Sequence, residues 1–249
     1  MSDYWISGAV DLHVHSAPDV YARKMDDIAL AAEARDRGMR ALLLKSHHTL
    51  TADRAQIAAS QVPGIAVFGG LALNQTVGGL NPVAVETAVA FGARQIWMPT
   101  LHAAHCLEVA EHEMFVRERE MGRKGIRVAD AQGRIDPAVP PILEIVRDAD
   151  IILGTGHIAP EESLALLKAA RDMGMTKLLV THPLMSFTRF SREQMRLAVE
   201  CGGVLEFDRL ECIPSWKNAV DPAETAAAIR DAGAENCVMG SDGGQASNP

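Results

Sequence analysis

Paired cysteines, basic runs and long apolar runs are all missing from this sequence, and each absence excludes a class of protein. The four cysteines are scattered, so we expect neither a disulfide framework nor a zinc ribbon, and a reducing cytoplasm is the predicted location. The net charge is −8 and lysine and arginine nowhere cluster, which argues against nucleic acid or an anionic membrane as the main partner. No apolar run reaches about 18 residues, so no membrane span is expected. The N-terminus lacks a basic start followed by an apolar run, so no signal peptide is expected.

The composition is that of an ordinary globular protein. Hydrophobic residues make up 48% and charged residues 22%, so a core can form. A chain of 249 residues could hold one large barrel or two small domains. No composition shift or low-complexity segment marks a boundary, and we therefore expect a single unit over residues 1–249.

One pattern recurs along the chain: an amphipathic helix, a glycine, then a short apolar strand. These glycines stand where a helix C-cap is expected, at Gly38, Gly92, Gly174, Gly202 and Gly233. Together with the other apolar runs, they give eight strand candidates, near 8–15, 40–45, 65–73, 94–98, 150–155, 177–182, 203–207 and 236–241. Strands alternating with helices predict a TIM-type (β/α)8 barrel, with a doubly wound open sheet as the alternative.

Two regions interrupt the pattern. An insert at about 101–140 separates strands four and five; it includes a predicted helix over 103–119 and a predicted hairpin that turns at Gln132 and Gly133. After strand eight the sequence ends without a helical segment, so the eighth helix is expected to be missing. Either the chain is cut short or another element closes the barrel, and a partner chain in that role would make a homo-oligomer.

The first strand carries the first candidate ligands. Side chains alternate along a strand, so Asp11, His13 and His15 share one face, which points into a barrel. Two imidazoles placed two residues apart can bind one metal ion. The alternative is a pair of hydrogen-bonded core histidines, although burying such a pair without partners is costly.

Three later strands end in residues that can also bind a metal. His157 ends strand five, His182 ends strand six and Asp242 ends strand eight. Barrel active sites form at this end of the strands. A single histidine there is usually just a polar surface residue, but the repetition on separate strands favours a metal site.

This set of residues resembles the amidohydrolase superfamily, and the phrases VDLHVHSAPD, TGHIAPEE, VTHP and GSDGGQ look like an uncharacterised branch of it. The resemblance implies a barrel, one or two divalent ions, often zinc, and hydrolysis of amides, esters or lactones; some members are decarboxylases or deaminases. Members of the superfamily that bind two ions carry a bridging carboxylated lysine or glutamate at the end of strand four. Here that strand ends at Trp97, with no lysine or acid. One ion is therefore favoured, held by His13, His15, His157 and Asp242, with His182 beside it or binding a second ion. Zinc suits these ligands, and manganese, iron or nickel remain open.

Lys45 ends strand two and is expected to bind a substrate carboxylate or to pair with Asp242. It could also be carboxylated and bridge metals, or extend to solvent. The predicted catalytic residues are Asp242, His182 and Lys45, and the predicted substrate contacts are Lys45, His47, His102 and Asn74. Glu206, Asp208 and Asp11 could orient ligand imidazoles.

The predicted function is metal-dependent hydrolysis of a C–N or C–O bond in a small carboxylate-bearing molecule. A metal-dependent decarboxylase on the same scaffold is one alternative, and a non-catalytic metal-binding or small-molecule-binding protein is another. A phosphoesterase of the polymerase-and-histidinol-phosphatase type is disfavoured, because strands three and four supply no further ligands.

Overall fold

The computed structural model describes residues 5–214 and 218–247; the other positions of the predicted 1–249 unit lie outside this description. Eight parallel strands follow one another in chain order around a single sheet. The predicted (β/α)8 architecture is confirmed. The strands are β1 Val10–His15, β2 Ala41–Lys45, β3 Ala66–Ala72, β4 Gln95–Trp97, β5 Ile152–Gly154, β6 Leu178–Thr181, β7 Gly203–Asp208 and β8 Cys237–Gly240.

Helices lie between these strands in the chain. They are α1 Asp27–Asp36, α2 Ala52–Gln61, α3 Pro82–Ala90, α4 Ala104–Val109, α5 Glu113–Glu120, α6 Val139–Asp148, α7 Pro160–Asp172, α8 Arg192–Glu200 and α9 Pro222–Ala232. Several begin at side chains that satisfy free backbone N–H groups: Asp26 accepts from the N–H of Ala29, and Ser191 from that of Gln194. No helix among the described residues is long and apolar enough to cross a membrane.

The barrel closes where the segment after β8 meets β1. The backbone N–H of Asp242 donates to the carbonyl of His13 over 2.9 Å, and the N–H of His15 donates to the carbonyl of Gly243 over 2.9 Å. Gly244 follows in a left-handed conformation (φ 98°), and a Cβ there would lie 1.8 Å from the His15 carbonyl oxygen. Only glycine permits this approach of the two chain segments.

Alternation along β2 explains how a lysine enters the barrel. Leu42 and Leu44 point outward and pack against alanines of α1 and α2, whereas Leu43 packs inside with Trp97. Lys45 lies two residues after Leu43, so its side chain also points inward, and only 1% of it is exposed.

Trp97 fills the barrel interior at the end of β4. Its ring lies against β3 and β5 at Gly70 and Gly154, where an added Cβ would approach the indole to 2.7 and 2.8 Å. The end of β4 is therefore filled by the packed indole ring.

The insert differs from its prediction in one respect. The single helix predicted over 103–119 is two helices, α4 and α5, separated at residues 110–112, because the His112 side chain accepts the Met114 N–H and starts a new helix. The predicted turn is present, since Ala129 pairs antiparallel with Ile135. After β8, the described chain runs to Ser247 without a further helix.

Candidate metal centre

Three predicted ligands meet at the C-terminal end of the barrel. His15 Nε2 lies 3.2 Å and His13 Nε2 3.5 Å from Asp242 Oδ1. One ligand atom from each of these three residues lies within 4.8 Å of the others, and all three side chains are buried. Two imidazoles and a carboxylate at this separation suit a divalent ion such as zinc.

A carboxylate behind His13 orients the His13 ring, so that the lone pair on Nε2 points to where the three residues meet. His13 Nδ1 lies 3.3 Å from Glu206 Oε2, and neither side chain is exposed to solvent. Once ionised, this carboxylate can only accept, so Nδ1 then carries the hydrogen and Nε2 the lone pair. Metal-binding histidines are oriented in this way by carboxylates. The residues present therefore fit a metal ion.

Lys45 lies directly in front of that lone pair. Its Nζ is 2.7 Å from His13 Nε2 and 5.3 Å from the centre of the Trp97 ring. Burial lowers the pKa of Lys45, although the nearby Asp242 and Glu206 partly oppose this. One nitrogen has one lone pair, so a metal ion and the Lys45 ammonium cannot both bind His13 Nε2.

His182 is held from behind by two acids. Its Nδ1 lies 2.9 Å from Asp208 Oδ2 and 3.3 Å from Glu211 Oε1, and its Nε2 lies 3.5 Å from Asp242 Oδ2. Burial opposes a charge on this ring, but the acids outweigh it and raise the pKa of His182 to about 10. With His13 and Asp208, His182 forms a second group that could hold an ion.

Both His182 and Asp242 have left-handed backbone conformations, with φ values of 53° and 42°. Such conformations cost about 1–3 kcal/mol each outside glycine and are concentrated at functional sites. Burial would raise the pKa of Asp242, but the neighbouring His13 and His15 hold it well below its usual range. Asp242 is therefore an ionised carboxylate in the middle of the histidines.

His157 faces the same region but lies outside both groups. Its Nδ1 is 3.9 Å from Cys106 Sγ, and its buried Nε2 has no hydrogen-bond partner within the described chain. Its ring centre is 5.4 Å from that of His182. The structure thus brings His13, His15 and Asp242 together and places the fourth predicted ligand beside them, with a free nitrogen.

A cavity of about 250 Å³ opens above these residues. Its polar side includes His15, Lys45, His47, His157, His182 and Asp242. Its apolar side is formed by Met114, Phe115, Met185, Phe187 and Leu210. Pockets for drug-sized ligands are usually about 300–1,000 Å³, so this one suits a smaller molecule. The insert contributes through α5, which carries Met114 and Phe115.

Two of the predicted substrate contacts are not at this cavity. Asn74 is fully buried and both its amide groups bind protein atoms, so it has nothing left to offer a substrate. His102 Nε2 lies 3.1 Å from Glu118 Oε2, which ties the loop after β4 to α5. Lys45 and His47, in contrast, do line the cavity.

Sequence reasoning missed Arg23 and Glu211. Arg23 lines the cavity from the loop after β1, and its guanidinium donates two hydrogen bonds to Asp19 Oδ2, at 2.9 and 2.7 Å. Loops after barrel strands form the active-site mouth, so an arginine eight residues after His15 could have been noted. Glu211 had no such signal, because its short helix Arg209–Cys212 has no pattern in the sequence.

Residues 8–206 match a family described as a family of unknown function, DUF6282. The chain belongs to this family. The sequence has no significant match among curated proteins.

Three solved structures show how widely the fold of this DUF6282 chain is shared. An amidohydrolase from Pseudomonas aeruginosa matches with a TM-score of 0.60 and 10% identity, over 100% of this chain and 79% of that one. An organophosphorus hydrolase from Deinococcus radiodurans matches with a TM-score of 0.52 and 13% identity, over 94% and 75%. A putative deoxyribose-phosphate aldolase from Coccidioides immitis matches with a TM-score of 0.50 and 15% identity, over 97% and 83%. At these identities the likeness confirms the barrel implied by the amidohydrolase resemblance, and the chemistry must be argued from the site.

Proposed function

We propose that the chain is a metal-dependent hydrolase that cleaves an amide, ester or lactone bond of a small carboxylate-bearing molecule. The observation that carries this proposal is the convergence of His13, His15 and Asp242 on one point beneath an open cavity. Zinc is the proposed ion, because neutral imidazole and carboxylate are among its usual ligands. A bound zinc ion would lower the pKa of a coordinated water to about 7 and so supply hydroxide at neutral pH.

Asp242 and His182 are proposed to move the protons. Asp242 Oδ1 faces the two ligand histidines, which leaves Oδ2 on the side of His182 to accept a proton from the attacking water. Burial opposes a charge on His182, but Asp208 and Glu211 raise its pKa to about 10, which favours the charged ring. Its Nε2–H can therefore stabilise a developing oxyanion or protonate the leaving group.

Lys45 and Arg23 are proposed to bind the substrate carboxylate. They supply the two lysine or arginine side chains among the described residues that line the cavity. The apolar side of the cavity, which includes Phe115 and Phe187 with ring centres 5.2 Å apart, would take the rest of a small substrate.

The test begins with metal content. Elemental mass spectrometry of the purified chain should find about one ion per chain, which the double variant His13→Ala, His15→Ala should lose. A panel of small carboxylate-bearing lactones, esters and amides is then incubated in ¹⁸O-labelled water. Incorporation of ¹⁸O into a product carboxylate supports a hydrolase, whereas carbon dioxide release without ¹⁸O incorporation would favour the decarboxylase alternative.

Asp242→Asn is the matched variant for the chemical step. It keeps the shape and one oxygen of the side chain but removes the proton acceptor. We expect turnover to be lost while the metal stays largely bound. Full activity in this variant would refute the assigned role, and a metal-free wild-type chain after zinc or manganese loading would refute the proposal as a whole.

A further inference from the structure

His47 stands at the wall of the cavity, in the loop after β2. Its ring centre is 5.0 Å from that of His15, with the planes inclined by 34°, and 5.8 Å from that of His157. It is thus next to the proposed metal ligands, and which of its nitrogens carries hydrogen decides what it can do there.

Two backbone N–H groups determine the orientation of the Asn74 side-chain amide. Its Oδ1 accepts from the backbone N–H groups of Thr100 and His102, each over 3.0 Å. Backbone N–H groups only donate, so the oxygen of the amide must be on this side. Its Nδ2 therefore points the other way and donates to the His47 carbonyl (2.8 Å) and to Thr100 Oγ1 (2.7 Å).

The hydroxyl of Thr100 is fixed in turn. It accepts a hydrogen from Asn74 and has one hydrogen of its own to donate. Its other side-chain contact within the described chain is His47 Nδ1, at 2.8 Å. Thr100 is completely buried, and a buried hydroxyl hydrogen without an acceptor is unfavourable. The hydroxyl therefore donates to Nδ1, which must carry a lone pair.

A neutral imidazole with a lone pair on Nδ1 carries its hydrogen on Nε2. In His47 this nitrogen lies across the ring from Thr100. A second hydrogen, on Nδ1, would leave the Thr100 hydroxyl without an acceptor, so the chain of bonds also disfavours a doubly protonated ring.

We propose that Asn74 and Thr100 fix His47 as a neutral Nε2–H donor that binds an acceptor oxygen of the substrate, a carbonyl or carboxylate, beside the metal centre. The inference rests on the proposed function for the identity of the substrate group. It also assigns different roles to neighbouring histidines: His15 can offer a lone pair to the ion, whereas His47, with hydrogen on Nε2, cannot be a ligand.

The direct test is the tautomer. The full chain, labelled with ¹⁵N-histidine and loaded with zinc, is studied by long-range ¹H–¹⁵N correlation, and His47→Gln identifies the His47 signals among the nine histidines. We expect a bare Nδ1 and a protonated Nε2. Thr100→Val should disturb this state, whereas Thr100→Ser, which keeps the hydroxyl, should preserve it. Hydrogen on Nδ1 in the wild-type chain, zinc bound to Nε2, or the wild-type state in Thr100→Val would each overturn the inference.

A second readout tests contact with substrate. The amide nitrogen of glutamine can take the place of Nε2, and that of asparagine the place of Nδ1. His47→Gln should therefore retain most of the kcat/KM for a hydrolysed panel compound, and His47→Asn should lose about ten- to hundredfold, as for one hydrogen bond to a charged group. Equal losses in both variants would refute the contact. The NMR result is independent of turnover. A chain that hydrolyses no panel compound would refute the proposed function, and the tautomer would still be decided by NMR.

Discussion

Replacing the carboxylate behind His13 tests which residues hold the metal. We predict that Glu206→Gln weakens zinc binding about 10- to 100-fold, the usual effect of losing a partner that orients a ligand imidazole. Glutamine keeps the volume of the side chain and removes its charge. The affected contact is the one between His13 Nδ1 and Glu206 Oε2, at 3.3 Å.

The magnitude follows from the burial of this pair. Both side chains are fully buried, so water cannot compensate for the lost charge. A hydrogen bond to a charged group contributes about 1.5–3 kcal/mol, and about 1.4 kcal/mol is a factor of ten in affinity. Burial raises the pKa of Glu206 to about 7, so at pH 8 the carboxylate is mostly ionised and the effect should be close to its maximum.

The assay is competition for zinc between the protein and a chromogenic chelator at pH 8. Glu211→Gln is the matched control, since Glu211 lies 3.3 Å from His182 Nδ1 rather than from a residue of the His13, His15 and Asp242 group. We expect this variant to bind zinc as the wild type does. Wild-type affinity in Glu206→Gln would refute our assignment of His13 as a ligand, and a loss confined to Glu211→Gln would move the ion to His182.

Three further predictions concern stability, measured by urea denaturation with chelator present. Burial raises the pKa of Asp11 from 3.8 to about 6, so the free energy of unfolding of the wild type should fall by about 2 kcal/mol relative to Asp11→Asn as the pH rises from 4 to 6, and parallel pH profiles would contradict this. Gly244→Ala should lower the free energy of unfolding by more than about 4 kcal/mol, because the added Cβ would meet the His15 carbonyl. The control Gly133→Ala, at a left-handed position in open space, should lower it by only about 1–2 kcal/mol. Similar losses in both variants would show that the close approach is not needed. Phe115→Ala should cost about 3–5 kcal/mol, since the ring is buried against Phe187, and a loss below about 1 kcal/mol would mean that α5 does not pack there.

The barrel and the location of its site could be predicted because both follow from local patterns. Glycines and short apolar runs locate the strands, and the ends of parallel strands must meet, which brings His13, His15 and Asp242 together whatever the loops do. The alternation that placed Asp11, His13 and His15 on one face is a property of any strand.

The remaining features depend on contacts that no local pattern encodes. The break between α4 and α5 arises where His112 caps a helix, and helical periodicity continues through it. Asn74 was predicted to face a substrate, but its amide is occupied by Thr100, His102 and the His47 carbonyl, all remote in sequence. The contact of Lys45 with His13 Nε2 likewise depends on the packing of side chains inside the barrel.

The seam that closes the barrel also carries its candidate ligands. Asp242 donates its backbone N–H to His13 at the junction of the first and last strands, and the side chains of the same two residues face one another above it. An ion held there would act as a removable cross-link between the two ends of the sheet, and cross-links that close long loops restrict the unfolded chain most. Metal binding would then reinforce the backbone hydrogen bonds that join the end of the chain to the first strand.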